Sequence, residues 1–109
     1  MEIYIGQIIL FAGNYAPEGW AFCHGQLLPI LNNQALFSII GTTYGGNGTT
    51  NFALPDLRGR VPIGMGQGPG LNPVTIGETG MLSTHGSGAK VYIGLNYCIA
   101  LQGLYPTRT

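Results

Sequence analysis

Residues 54–70 read LPDLRGRVPIGMGQGPG, and this stretch holds three of the eight formally charged side chains among 109 residues: Asp56, Arg58 and Arg60. An aspartate that follows a proline is suited to accept backbone N–H groups in a turn. Arginines offer fork-shaped donors to the carbonyl groups that a glycine-rich loop leaves unpaired. We therefore predict that the three residues form a structural latch or a subunit contact, with an anion-binding site as the alternative.

The surroundings of this cluster do not favour catalysis. No second carboxylate, Ser-His pair or group of metal ligands accompanies it in the sequence. The run GMGQGPG at 64–70 lacks the Lys-Ser/Thr ending of a phosphate-binding loop. His24 and His85 are isolated, and only a symmetric oligomer could bring copies of one histidine together. We predict no enzymatic activity, no catalytic residue, no cofactor and no metal site, and leave the roles of both histidines open.

The composition is poor in charge. Charged side chains make up 7% of the chain, against about 25% in an ordinary soluble domain. The formal net charge is zero, so the chain lacks the basic face of a nucleic-acid binder and the polybasic segment that an anionic membrane attracts. Few charges and no net charge favour association. We expect one domain over residues 1–109, with a surface covered by copies of itself.

The N-terminal run MEIYIGQIILFAG has no basic n-region, so we do not expect a signal peptide, and no apolar run reaches the length of a membrane span. The protein is expected outside the cell or in a virion or tail. Cys23 and Cys98 both lie in apolar contexts. Two buried free thiols are the first expectation, and a disulfide between them is the alternative.

The sequence predicts a mainly β fold with one short helix, a small α+β domain with a long ordered glycine-rich loop. Strand-like runs cover residues 3–12 and 20–30, and 90–106 is predicted to be a strand pair that turns near Gly94 and Asn96. Asn32 or Asn33 is expected to cap a helix that stops at Gly41. The loop, residues 41–80, is expected to be pinned to the core by recurring apolar residues: Phe52, Leu54, Leu57, Val61, Ile63, Met65, Leu71 and Ile76.

Aromatic side chains beside Asn and Gln suit sugar faces and protein interfaces equally well. Three of the six tyrosines, Tyr15, Tyr44 and Tyr105, are therefore candidates for a glycan-binding or subunit surface.

Several motifs together resemble the phage tail-collar family, including the bacterial microcystin-dependent proteins. These are FAGNYAPEGW, the pattern W-x-x-C-x-G-Q at Trp20, Cys23, Gly25 and Gln26, NQALFSIIGTTYGG, FALPDLRGRVPIGMG and the ending LNYCIALQGLYPTR. The resemblance covers residues 5–78 and 92–108, about four-fifths of the chain. It implies a small β-rich domain in a homo-oligomeric, usually trimeric, tail-fibre element, and it adds Trp20 and Cys23 to the predicted latch or subunit contact.

The chain departs from the family pattern in two places. His24 stands where the family commonly has aspartate, and the short segment TGMLSTHGSGAK at 79–90 replaces a longer one. In short tail fibres of contractile phages the more distal region carries axial metal sites and receptor contacts, so the resemblance implies that the assembly part is what this shortened form keeps.

Together these features predict a non-enzymatic, self-assembling structural protein, the subunit of an extracellular filament or a tail-fibre-like assembly. The expected partner is the protein itself, in a trimer or a helical filament, with no nucleic acid and no membrane insertion. The alternative is a tip module of a phage tail or phage-derived injection apparatus that binds a receptor or a cell-surface glycan.

Overall fold

The C-terminal strand of this chain forms the centre of its larger sheet. The computed structural model describes residues 2–82 and 91–108. In chain order the elements are β1 (Ile8–Phe11), β2 (Trp20–Phe22), β3 (Leu27–Pro29), α1 (Gln34–Ile40), β4 (Asn51–Ala53) and β5 (Asn96–Ala100).

Two antiparallel sheets arise from these strands. The three-stranded sheet has the order β1-β5-β2, and Ile99 of β5 lies opposite Ile8 on one side and Ala21 on the other. The second sheet pairs β3 with β4, with Leu28 opposite Phe52. The predicted fold class, mainly β with one short helix, is confirmed.

The strand predictions need three corrections. Residues 3–12 do not form one strand, because Gly6 adopts a positive φ of 89° and β1 begins only at Ile8. Residues 20–30 form two strands that belong to different sheets. The predicted hairpin within 90–106 is wrong for the described residues, since β5 pairs with β1 and β2 instead of with a neighbour in sequence.

The helix prediction is confirmed apart from its cap. α1 ends at Ile40 and is capped by Gly41, whose φ of 55° suits glycine and whose N–H donates to the Phe37 carbonyl at 2.7 Å. Asn33 holds the N-cap position but makes no side-chain cap bond. Its side-chain amide donates instead to the Pro29 carbonyl at 3.0 Å, which ties the helix start to the end of β3.

The core lies where α1 and both sheets meet. Leu36 of α1 and Phe52 of β4 are fully buried, and the Phe37 ring packs against the Phe52 ring with centroids 5.3 Å apart. The central strand β5 contributes three consecutive buried residues, Cys98 to Ala100. The buried cluster consists of Ile5, Cys23, Leu36, Phe52, Leu54 and Ile99.

The loop prediction is correct only for its first half. Residues 51–53 form a strand, β4, that the sequence analysis did not predict, and Leu57 packs against the core. The remaining predicted anchors are exposed, because no other element of the described chain lies over them: Val61, Ile63, Met65, Leu71 and Ile76. The loop is held at Gly66 and Val74, which exchange two backbone hydrogen bonds of 2.7 and 2.9 Å.

Candidate functional site

The three clustered charges of residues 54–70 form one connected group. The guanidinium of Arg58 donates from Nε to Oδ1 of Asp56 and from Nη2 to Oδ2, both at 2.9 Å. This two-point geometry is the strong form of an arginine–carboxylate pair. Arg60 donates from Nη1 to the backbone carbonyl of Asp56 at 2.9 Å and lies 3.7 Å from its Oδ2. Both arginines thus contact the same aspartate.

Asp56 also closes the turn that carries it. Its Oδ1 accepts the backbone N–H of Arg58 at 3.2 Å, and the N–H of Arg60 donates to the Leu57 carbonyl at 3.1 Å. The sequence predicted the aspartate as an acceptor in a turn and Arg60 as a donor to a loop carbonyl, and both contacts are present. Arg58 differs from that prediction, because its partner is the carboxylate and not a carbonyl.

The electrostatics of the group favour a fixed charge. The hydrogen bonds from Arg58, with the nearby charge of Arg60, hold the pKa of the Asp56 carboxyl well below its usual range. The same contact raises the pKa of Arg58. A general acid or base needs a pKa near the working pH. The pair therefore remains charged and is chemically suited to hold structure or bind a surface, not to transfer protons.

Backbone hydrogen bonds join this group to the chain segment after β2. The N–H of Leu57 donates to the Cys23 carbonyl at 2.9 Å, and the N–H of Gly25 donates to the Pro55 carbonyl at 3.2 Å. Gly25 has a φ of 75°, and a Cβ there would lie 3.1 Å from the Cβ of Asp56. Glycine at this position lets the two segments approach, which explains its place in the W-x-x-C-x-G-Q pattern.

Gln26 is a structural residue whose role the sequence analysis did not identify. Its amide Nε2 donates to the Phe22 carbonyl at 2.8 Å, and its Oε1 accepts the N–H of His24 at 3.1 Å. Its own carbonyl accepts the N–H of Leu54 at 3.0 Å. Gln26 thereby fixes the turn between β2 and β3. Its position in the quoted motif was the available signal.

Trp20 and Cys23 have different environments. Cys23 is 1% exposed and Cys98 is fully buried, and both are free thiols. Burial, with a smaller contribution from Cys98, raises the pKa of Cys23 to about 12. Cys23 was predicted to belong to a structural latch or to a subunit contact. At 1% exposure its side chain offers almost no surface to another subunit. Trp20 is half-buried at the start of β2, where its pairing with Ala100 begins.

The three candidate tyrosines are attached to different parts of the fold. Tyr15 is exposed and meets the Phe11 ring edge-on, with centroids 5.8 Å apart. The hydroxyl of Tyr105 is hydrogen-bonded to Ser38 Oγ of α1 at 2.6 Å. Tyr44 is half-buried and lines an open cleft that also includes Asp56. Two of them, Tyr15 and Tyr105, present much of their rings to solvent.

His24 stacks on the ring of Phe22, with centroids 4.9 Å apart, and lies opposite Asp56 in an isolated antiparallel bridge. His85 falls outside the described residues. Within 2–82 and 91–108, no three histidine, cysteine or acidic side chains lie close enough to hold a metal ion. No helix in that part of the chain is long and apolar enough to cross a membrane.

Comparison with known proteins adds family information to this geometry. The model of the Phage Tail Collar Domain matches residues 6–62, just over half of the chain. The chain is 41% identical over 73 residues to the short tail fiber protein gp12 of Enterobacteria phage T4, which covers 65% of this chain and 14% of that protein. It is 30% identical over 88 residues to Protein RhiB of Rhizobium leguminosarum bv. viciae, which covers 78% of this chain and 39% of that protein. The chain thus spans less than half the length of either relative.

Proposed function

The chain belongs to the phage tail collar domain family, as its motifs predicted, and on this premise we propose that it is a non-enzymatic structural subunit that assembles with copies of itself. The assembly is a tail-fibre-like trimer or a helical filament, located outside the cell or on a virion tail. The relative from Enterobacteria phage T4, a short tail fiber protein, supports a tail-fibre role for this domain type.

The observation that carries the proposal is the surface that the single chain leaves uncovered. A compact monomer of 11.5 kDa exposes about 5,800 Å², whereas this chain exposes 8300 Å². The excess is larger than the roughly 800 Å² that each partner contributes to an ordinary interface. The radius of gyration, 15.6 Å, likewise exceeds the value of about 13 Å for a compact chain of this size.

The exposed apolar residues of the loop contribute to this excess. Val61, Ile63, Met65, Leu71 and Ile76 stand out from the core, although glycine-rich loops of soluble monomers are usually polar. Exposed apolar side chains concentrated in one loop favour a site that another protein covers. With zero net charge and few charged side chains, two copies of the chain meet little electrostatic repulsion.

The Asp56 group has a defined part in this proposal. Arg58 and Arg60 hold Asp56 at the point where the chain leaves the core and enters the exposed loop. A loop that must present apolar residues to another subunit benefits from a fixed starting geometry, because less conformational freedom is lost on binding. We therefore assign the latch role to Asp56, Arg58 and Arg60. Cys23, whose carbonyl accepts the N–H of Leu57, and Trp20, which starts β2, are assigned structural roles.

Negative-stain electron microscopy of the purified protein at several concentrations tests the proposal. Long regular filaments would identify a fibre subunit, in which contacts repeat without closing. Small closed particles of constant size would identify a trimer-like tail element. A field of isolated subunits at every concentration would contradict self-assembly.

A second function, binding of a receptor or a glycan, is favoured by the exposed rings of Tyr15 and Tyr105. Aromatic faces beside polar side chains can stack on sugar rings. Binding to a panel of immobilised glycans tests it: saturable binding that is lost in Tyr15→Ala or Tyr105→Ala would support the tip-module role. The absence of binding to any glycan by the assembled protein would contradict it.

A further inference from the structure

The five residues before β5 extend beyond the sheet. Residues 91–95 read VYIGL, and Val91, Tyr92 and Ile93 are 98%, 94% and 82% exposed. β-branched and aromatic residues of this kind are the strongest strand formers. Residues 91–95 precede β5 directly and lie beyond its last paired residue, since the register with β1 ends where Phe11 lies opposite Asn96. The segment is therefore suited to be a strand but has no partner strand among the described residues.

β1 offers an unprotected sheet edge. In the described part of the chain β1 pairs only with β5, so its outer side is free. Natural proteins protect such edges with charges, prolines or bulges, but β1 has the sequence IILF and carries neither a charge nor a proline. The side chains of Ile8 and Leu10 are also exposed.

The register shows which backbone groups of β1 face outward. The N–H of Ala100 donates to the Gln7 carbonyl at 2.9 Å, and its carbonyl accepts the N–H of Gly6 at 3.0 Å, so residue 100 bonds toward this side and residue 7 lies opposite it at the hydrogen-bonded position. In an antiparallel ladder hydrogen-bonded pairs alternate with pairs whose N–H and C=O groups point away. Ile8 and Leu10, one and three positions further on, therefore direct their backbone groups to the free edge.

We propose that residues 91–95 of one copy add as an extra strand to the outer edge of β1 in a second copy. This inference rests on the proposed self-assembly, and it names the backbone contact through which two copies associate. Backbone hydrogen bonds to Ile8 and Leu10 supply affinity, and the side chains that alternate along the added strand contact the exposed faces of these two residues.

The segment cannot reach the β1 edge of its own chain. Residues 91–95 run directly into Asn96 of β5 without a turn, and β5 already occupies the inner side of β1. To lie on the outer side, the segment would have to cross over β1, and a crossover connection takes a dozen or more residues. A second copy meets no such constraint, and its own residues 91–95, which we call the arm, have the same sequence.

The other sheet edges are less suitable acceptors. β2 has only three residues, and β3 contains Pro29, which lacks the N–H that a ladder needs. β4 already receives a contact on its outer side, since the N–H of Ala53 donates to the Gly45 carbonyl at 3.0 Å. The edge of β1 is the longest and most apolar one available among the described strands.

Amide hydrogen exchange, measured on assembled protein and on dilute protein, tests the inference. In the assembly the amides of Ile8 and Leu10 and alternate amides of residues 91–95 should exchange about tenfold more slowly or better, because they acquire hydrogen-bond partners. If assemblies form while these amides exchange as fast as in the dilute protein, the strand addition is wrong and the proposed function stands. If no assembly forms at any concentration, both are wrong.

A pair of proline variants gives an independent test. Neighbouring N–H groups of a strand face opposite edges, so Tyr92→Pro and Ile93→Pro remove donors from opposite edges of the arm. One of the two should abolish assembly while the circular dichroism of the fold is unchanged. Leu31→Pro is the matched control: Leu31 is also exposed, and it occupies the second position of the turn that the N–H of Asn33 closes onto the Ile30 carbonyl, where proline is favoured. Normal assembly of both Tyr92→Pro and Ile93→Pro would overturn the inference.

Discussion

At the scale of single residues, Asp56 is the point where the folded core connects to the exposed loop. Its carboxylate accepts two hydrogen bonds from the guanidinium of Arg58, and its carbonyl accepts one from Arg60. Pairs at the protein surface contribute little to stability when they are isolated, and more when the geometry is bidentate and several charges form a network. The role of this group is therefore expected to be local: it holds the direction of the loop.

We expect Asp56→Asn to lower the thermal midpoint at about neutral pH and to weaken assembly. The pKa of Asp56 is lowered in the folded chain, so its ionised form stabilises the fold above the unfolded value of about 4, and this contribution is lost as pH falls. The difference in Tm between the two proteins should thus shrink below about pH 4. Calorimetry across a pH series measures it.

Glu18→Gln is the control for this prediction, because it also removes a carboxylate but lies outside the Asp56 group. Added salt should reduce the effect of Asp56→Asn, since the pair is exposed to solvent. A Tm and an assembly concentration that match the parent at neutral pH would show that Asp56 is not a latch.

The two cysteines give a second prediction at this scale. Burial raises the pKa of both thiols, that of Cys23 to about 12, so little reactive thiolate is present in the folded protein. An alkylating reagent should react slowly with native protein and with two thiols per chain after denaturation without reductant. Recovery of no thiol from the denatured, unreduced protein would indicate the disulfide instead.

At the scale of elements, the short strand β4 supports the fold more than its length suggests. Phe52 is fully buried and packs on Phe37 of α1, so β4 links the helix to the second sheet. We expect Phe52→Ala to lower the free energy of unfolding by about 3–5 kcal/mol, from lost burial and the cavity left behind. Ile63→Ala, in the exposed loop, should change it by about 0.5 kcal/mol or less.

Urea denaturation of both variants under conditions that keep the protein unassembled makes this comparison. Dissociation matters, because Ile63 belongs to the surface that we assign to subunit contact. Similar losses of stability in the two variants would mean that the loop packs on the core, contrary to its exposure in this structure.

The elements that sequence predicted well are those with local signals. The helix and its glycine stop follow from residues 33–41 alone, and the turn at Asp56 follows from its own neighbours. β4 was missed because three residues between glycine- and threonine-rich turns are too few to show an alternation of apolar and polar side chains. These residues form a strand because they pair with β3, which is distant in sequence. The hairpin near Gly94 was predicted from turn residues, whereas β5 pairs with strands roughly seventy to ninety residues away in sequence.

At the scale of the whole molecule, the chain exposes more surface than a compact monomer of its mass, and the loop and residues 91–95 both carry exposed apolar side chains. The sequence predicted a surface covered by copies from its low charge, but it could not indicate which residues would be covered. That assignment depends on exposure, which placed Val61 and Ile63 outside the core and Val91 to Ile93 beyond the sheet. Composition thus predicts association, and only the three-dimensional structure suggests the contact.

The molar mass in solution, determined by light scattering over a series of concentrations, tests this conclusion most directly. The uncovered apolar surface predicts masses that are multiples of 11.5 kDa. The mass should increase with concentration if the assembly is an open filament, and it should hold constant if the assembly is closed. A mass of 11.5 kDa at every concentration would contradict it, because the exposed loop and arm would then remain in water without a partner.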